Sequence, residues 1–372
     1  MSEWKEYKLG DLADIFDSRR IPLSSMERQL RKGIYPYYGA SGIIDYVNEY
    51  IFDGDYLLIS EDGENLNSRQ TPIAFEAKNK FWVNNHAHII KGRNDYANKL
   101  ILYYLAQLDL SPYITGAVQP KLSQENLLSI TFNLPSNEIE QRAIASILSS
   151  LDDKIDLLHR QNKTLEQLAE TLFREWFVLE EHEDWEEKSL DQIADYLNGL
   201  ACQKYPPLDE INKLPVIKIK DIKNGFSSNS DWVTSEVPQK YIIERGDILF
   251  SWSGSLEVMI WAYGKGVLNQ HLFKVTSVEY PKWLYYFATK LHLADFRVIA
   301  ESKSTTMGHI QREHLSAAKI KIPNDENILK QMDNTFSPLI NKIIINFDQI
   351  DSLTKMRDTL LSKLMSGEIR VC

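Results

Sequence analysis

Two short loops hold the residue types that could grip a polyanion. One is Thr115-Gly116-Ala117-Val118-Gln119-Pro120-Lys121; the other is Ser302-Lys303-Ser304-Thr305-Thr306-Met307-Gly308-His309, followed by Arg312. Small hydroxyls beside cations suit phosphate oxygens, and planar amides or guanidinium groups suit base edges. Arg19, Arg20, Ser41 and Arg69 belong with the first loop. The candidate DNA-contacting set is therefore Arg19, Arg20, Ser41, Arg69, Gln119, Lys121, Lys303, Ser304, Thr305, Thr306, His309 and Arg312. Other chemistry is weaker. His86, His88 and His271 follow asparagines at strand starts and, without a carboxylate nearby in sequence, read as structural. Asp209 with Asp221-Ile222-Lys223 departs from the acidic-acidic-x-lysine set of metal-dependent nucleases and has no match elsewhere in the chain. Cys202 and Cys372 stand alone and make neither a zinc site nor a disulfide framework. No Asn/Asp-Pro-Pro-aromatic, GxGxxG or GxxxxGK[ST] motif occurs, so the chain is expected to be non-catalytic, with no metal and no cofactor of its own.

The elements that position these loops follow from length and pattern. The 372 residues, 43% of them hydrophobic, fit two to three domains with real cores. No apolar run reaches the roughly 18 residues of a spanning helix, and the N-terminus lacks a signal-peptide run. With so few cysteines, a reducing, cytoplasmic location is expected. The net charge of −10 opposes the basic footprint usual in nucleic-acid readers. Residues 1–136 carry 14 Lys/Arg against 17 Asp/Glu, and residues 179–324 carry 17 against 20. Affinity for DNA would have to come from local clusters or from a more basic partner.

The chain is an internal repeat. Trp4-Lys5-Glu6-Tyr7-Lys8-Leu9 and Asp14 match Trp185-Glu186-Glu187-Lys188-Ser189-Leu190 and Asp195 at an offset of 181. In the same order, Gly54-Asp55 through Ser60 matches Gly246-Asp247 through Trp252, and Asn84-Asn85-His86 matches Asn269-Gln270-His271. Leu102-Tyr103-Tyr104-Leu105 then matches Leu284-Tyr285-Tyr286-Phe287, and Leu134-Pro135 matches Ile322-Pro323. Preserved order with a drifting offset is the signature of duplication. Each copy contains short β-rich runs punctuated by glycine and one short helix, near 99–108 and 282–291.

A long heptad helix follows each copy. Its core positions are Ile144, Leu148, Leu151, Ile155, Leu158, Asn162, Leu165, Ala169, Leu172 and Trp176 in the first helix. In the second they are Met332, Phe336, Leu339, Ile343, Asn346, Ile350, Leu353, Arg357, Leu360 and Leu364. Both sets alternate steps of four and three, the 3.5-residue period of a coiled coil. Asn162 opposite Asn346 in an antiparallel pair brings every heptad position against another, with Arg357 against Leu151 the one poor layer. Some ~40 residues would make a spacer of roughly 60 Å, and Pro338 should loosen the second helix near its start. The expected fold is α+β: β-rich domains at 1–136 and 181–324, spacer helices at 137–180 and 325–372, the two halves related by a pseudo-two-fold axis. That geometry suits a ligand with two sites at fixed separation, such as duplex DNA.

With these residues in place, the chain resembles the specificity subunits of Type I restriction-modification systems over nearly its whole length. The resemblance rests on Tyr37-Tyr38-Gly39-Ala40-Ser41-Gly42, Ile59-Ser60-Glu61-Asp62-Gly63, Gln119-Pro120-Lys121-Leu122-Ser123 and Phe173-Arg174-Glu175-Trp176-Phe177. In the second copy it rests on Thr305-Thr306-Met307-Gly308-His309-Ile310 and Leu361-Ser362-Lys363-Leu364-Met365-Ser366-Gly367-Glu368-Ile369. It implies two target recognition domains, each reading half of a bipartite double-stranded DNA site, with the helices setting the gap. It also implies two modification subunits that use S-adenosylmethionine and restriction subunits that use ATP, so both cofactors belong on partners. The competing reading is a duplicated coiled-coil scaffold that binds proteins rather than DNA.

Overall fold

A computed structural model describes residues 3–116, 118–180, 182–227, 229–302 and 308–371. The chain splits into two compact units, residues 1–154 with 354–372, and residues 155–353. Two long helices, Glu138–Arg174 and Glu326–Met365, each contribute a segment to both units.

In the first unit one four-stranded sheet has the order Ala13–Ile15, Ala87–Gly92, Tyr56–Ser60, Ala74–Ala77, every neighbour antiparallel. The central strand, Tyr-Leu-Leu-Ile-Ser, is buried at all five positions, which is why it reads as a continuous apolar run rather than an alternating one. The second sheet runs Gly42–Val47, Lys32–Gly39, Lys80–Val83, Phe52–Asp53, and its Lys32–Gly39 and Lys80–Val83 pair is parallel. Trp4–Lys8 pairs with Thr131–Pro135 and closes the unit beside the first long helix.

Among the described residues the second unit repeats the connectivity of these sheets. Its sheets are Asp195–Asn198, Leu272–Thr276, Ile248–Ser251, Val258–Ile260, and Trp232–Thr234, Lys213–Ile217, Gly266–Leu268, Ile242–Ile243. The one parallel pair recurs at the same place, and Glu186–Ser189 pairs with Lys319–Ile322. The ladders also correct the sequence matching by one residue. Ser60 pairs with Ala87 and Ser251 with Leu272, so Ser60 is equivalent to Ser251 and not to Trp252. The first unit has one residue more between its glycine turn at Gly54 and that serine than the second has after Gly246. Because strand side chains alternate faces, the slip decides which residues are counterparts. Both serines are fully buried, and Glu61 and Trp252 become equivalent.

The long helices start where the caps lie. Asn137 Oδ1 accepts from the Ile139 amide at 2.9 Å, and Asp325 Oδ1 from the Asn327 amide at 2.8 Å. Within each unit the two helices run antiparallel. In the second, the Asn346 amide donates to Asn162 Oδ1 at 2.7 Å, and Trp176 meets Phe336 edge-to-face at 5.4 Å. In the first, Arg357 pairs with Asp152 at 2.9 Å and Arg370 with Glu140 at 2.5 Å. Leu158, Asn162 and Ala169 are buried as a heptad seam requires. Toward the ends the buried stripe widens beyond the heptad to Ala145 in one unit and to Phe173, Phe177 and Ile340 in the other, because there the helices also carry the sheets.

Two expectations about the second helix change. Arg357 does not leave a bare poor layer: it reaches sideways to Asp152, which also accepts from Tyr103 Oη at 2.6 Å. Pro338 lies on the exposed side, and the helix continues through it without a break. In the second unit Trp283 stacks on Phe336 at 4.5 Å, donates through Nε1 to Asp333, and lies against Phe173. Full burial of Phe336 is worth roughly 2 to 3 kcal/mol. Tyr286 donates to Glu166, and Lys290 pairs with Glu166 and Glu170 at 2.8 and 2.9 Å.

Candidate nucleic-acid interface

In both units four separate segments meet at one end of the all-antiparallel sheet. In the first unit these are the hairpin tip at Gly39–Gly42, the turn Glu61-Asp62-Gly63, the turn Asn84-Asn85-His86, and the loop ending at Lys121. Three hydrogen bonds assemble the frame: Leu122 N to Glu61 O at 2.8 Å, Gly63 N to Pro120 O at 3.0 Å, and Asn84 N to Tyr38 O at 3.0 Å. A bridge joins Asp62 to Lys121. The second unit makes the same bonds from equivalent atoms: Ile310 N to Trp252 O at 3.0 Å, Gly254 N to Gly308 O at 2.9 Å, and Asn269 N to Ile217 O at 3.2 Å. Its bridge joins Ser253 to His309. Lys121 and His309, picked out from sequence in two different loops, therefore occupy the same place.

On this shared backbone the side chains differ in kind. The first unit builds an ionic brace. His88 is buried, its Nδ1 lies 2.5 Å from Asp17 Oδ2, and its Nε2 lies 2.7 Å from the Leu122 carbonyl. Arg20 reaches Glu61 at 2.5 Å and Asp17 at 3.5 Å, and Lys121 reaches Glu61 at 3.4 Å. The second unit has Asn198 for Asp17, Phe273 for His88 and Trp252 for Glu61. There Trp252 Nε1 donates to Asn198 at 3.0 Å, and its ring lies 5.9 Å from both Phe273 and His271. One frame thus carries charges and the other carries rings.

Ligand atoms of Asp17, Glu61 and His88 lie within 4.8 Å of one another, close enough for a cation. Arg20 already supplies positive charge to both carboxylates, so the chemistry of the set is that of a satisfied ion cluster.

The sequence-derived candidates fall into distinct groups. Ser41 is exposed at the hairpin tip, and Gln119 and Lys121 are exposed on the converging loop. Arg19 is exposed, donates to Ile51 O at 3.0 Å and lies 4.8 Å over the Phe52 ring. Arg312 opens the helix Arg312–Ala317, donates to Tyr196 O at 3.0 Å and covers Phe273. Arg20 is engaged inside the brace. Arg69, itself in a left-handed conformation with φ 47°, donates to the carbonyls of Leu105, Ala106 and Leu108, where it caps the helix Ala97–Gln107. Lys303, Ser304, Thr305 and Thr306 lie outside the described residues.

Sequence reasoning missed Asp62, Ser253, Lys218 and Lys220, and it assigned His86 and His271 to structure. His86 has a carboxylate after all: its Nδ1 lies 2.9 Å from Asp62, which stands 24 positions earlier. Lys218 and Lys220, with Asn269, Gln270 and His271, line a cavity of about 340 Å³ in the second unit. A neighbouring cavity of about 360 Å³ shares Lys218 and Asn269 and adds Pro206, Pro207, Trp232 and Asp231, which pairs with Lys218. Cations, amides and flat rings on one surface are the composition of a nucleic-acid groove. Burial pushes the Cys202 thiol up to about 11, which keeps it protonated and inert.

Two copies of one domain, each with the same loop frame and different side chains on it, define a duplicated recognition protein. The chain belongs to the family of the Type I restriction modification DNA specificity domain, which residues 1–167 and 182–355 match. It is a specificity subunit of a type I restriction-modification system; such subunits confer DNA sequence specificity and are non-catalytic. It is 25% identical to the Type I restriction enzyme MjaIX specificity subunit of Methanocaldococcus jannaschii, over 100% of this chain and 97% of that one. It is 27% identical to a putative type I restriction enzyme specificity subunit of Haemophilus influenzae, over 92% of this chain and 89% of that one. The crystal structure of a Type-I restriction-modification system S subunit from M. genitalium shares the fold, with a TM-score of 0.61, 15% identity, and 98% and 96% of the two chains covered. Among the described residues no helix is long and apolar enough to cross a membrane.

Proposed function

We propose that each unit reads one half of a bipartite, gapped duplex DNA site through its four-segment frame. Residues 1–136 and 181–324 act as the recognition domains, and the paired helices set the gap and dock two modification subunits. Restriction subunits join that complex; S-adenosylmethionine and ATP bind on the partners. The observation that carries this reading is the recurrence of one backbone frame with an ionic lining in one unit and an aromatic one in the other. That is what recognition of two unlike half-sites by a duplicated domain requires. The net charge of −10 means that phosphate contacts are shared with partner subunits, so the chain alone should hold DNA weakly at physiological salt.

The test is a methylation assay on random duplex DNA with the cognate modification subunit. A two-part consensus with a fixed gap is expected; uniform methylation, or none with partners bound, would overturn the proposal. Partner capture with no DNA selectivity would instead favour a protein scaffold. A second assay deletes seven residues from one spacer helix. Gap length or assembly should change while both half-site sequences stay the same; an altered half-site sequence would show that the helices are not merely spacers.

A further inference from the structure

His86 and His271 are counterparts that the two units hold in the same way. Each follows an asparagine whose Oδ1 accepts from the histidine amide, at 2.8 Å from Asn84 and 3.4 Å from Asn269. Each ring then turns Nδ1 toward the side chain two residues beyond the buried serine of the central strand. In the first unit that is Asp62, whose carboxylate oxygens lie 3.0 and 2.9 Å from Nδ1. In the second it is Ser253, whose Oγ lies 3.2 Å away. A carboxylate only accepts, so in the neutral ring Asp62 places the His86 proton on Nδ1 and leaves a lone pair on Nε2. On its other side His271 differs: its Nε2 faces the amide nitrogen of Gln270 at 3.4 Å, which only donates, so the lone pair there is already engaged. His86 remains 48% exposed while Asp62 is 19% exposed, so the carboxylate is the holder and the ring is presented.

We infer that His86 is a specificity-determining residue of one half-site, using Nε2 to accept the exocyclic amino group of an adenine or cytosine in the major groove. Adenine N6 and cytosine N4 are the donors displayed there, whereas guanine and thymine display acceptors. Asp62 is a positioning residue that acts through the tautomer. The inference rests on the DNA-reading function proposed above.

The test uses the full chain assembled with its modification subunits, and scores the methylated consensus from a randomised duplex pool. The unsubstituted complex comes first: absence of a gapped consensus would sink the DNA-reading proposal before any variant is compared. With that consensus in hand, His86→Leu should lower discrimination at one position of one half-site by about tenfold or more and leave the other half-site intact. His86→Gln keeps an acceptor near the Nε2 position and should retain most of the preference. Asp62→Asn offers Nδ1 a donor, moves the ring proton to Nε2, and should shift the preference at that position toward an acceptor-bearing base; a purely structural role would not do this. Thermal melting checks that each variant folds, and Asp62→Asn carries the test if His86→Leu does not. An unchanged consensus in His86→Leu would overturn the inference. So would a uniform loss across all sequences, which is the mark of a phosphate contact.

Discussion

Replacing His88 by phenylalanine, the residue at the equivalent place in the second unit, is expected to destabilise the first unit by about 3 kcal/mol. His88 is 1% exposed and stands between Asp17 and the Leu122 carbonyl at 2.5 and 2.7 Å. Phenylalanine removes both hydrogen bonds and leaves the Asp17 carboxylate buried, held by the Ile89 amide at 2.9 Å and by Arg20 at 3.5 Å. A buried charge that loses its partner costs more than the pair contributed, because its desolvation is no longer offset. Adding Asp17→Asn, which copies Asn198, removes that charge and should restore most of the loss. Denaturant unfolding of the full chain gives the magnitude. Hydrogen exchange on Tyr56–Ser60 and Ala87–Gly92 should place the loss in the first unit. A single variant within about 0.5 kcal/mol of the parent, or a double variant no more stable than the single, would count against the brace.

The second large effect is expected at the helix seam. Asn346 is fully buried and donates to Asn162 Oδ1 at 2.7 Å and to Gln161 Oε1 at 3.0 Å, while the Asn162 amide donates to Ile343 O at 3.3 Å. Asn162→Leu should cost about 2 kcal/mol, since it leaves the buried Asn346 amide with Gln161 alone in an otherwise apolar layer. Changing both asparagines to leucine should give a chain more stable than the parent, because the polar layer is itself less favourable than packed leucine. The same double change removes the layer that specifies register. Its readout is the gap length of the methylated consensus, expected to broaden from one value to several. A double variant less stable than the single, or one with an unaltered gap, would show that register is set elsewhere along the helices.

Much of the architecture was legible in the residues because it is written in local periods. Alternating steps of four and three gave both long helices and put Asn162 opposite Asn346, where an amide hydrogen bond lies. Repeated Trp-x-x-x-x-Leu and Asn-x-His spacings gave the duplication, and the sheets of the two units share one strand order. The site was less legible. Ser41, Gln119 and Lys121 do stand exposed on converging segments, but Arg20 and Arg69 look the same in sequence and are engaged within the unit. A cation's sequence neighbours do not reveal whether a carboxylate or a helix end will face it. The His86–Asp62 contact joins residues 24 apart across two turns, and no local pattern announces it.

The sequence by itself determined the number of units, the helix seam and the family, since each depends on spacing along the chain. Tertiary structure decided which residues are counterparts. The one-residue offset that makes Glu61 the equivalent of Trp252 exists only in the ladder register, because a slip of one reverses the face of every side chain in a strand. It also decided that one frame carries an ionic brace and the other an aromatic cluster. The residues of each set come from segments far apart in the chain, and only hydrogen bonding between strands brings them to one edge.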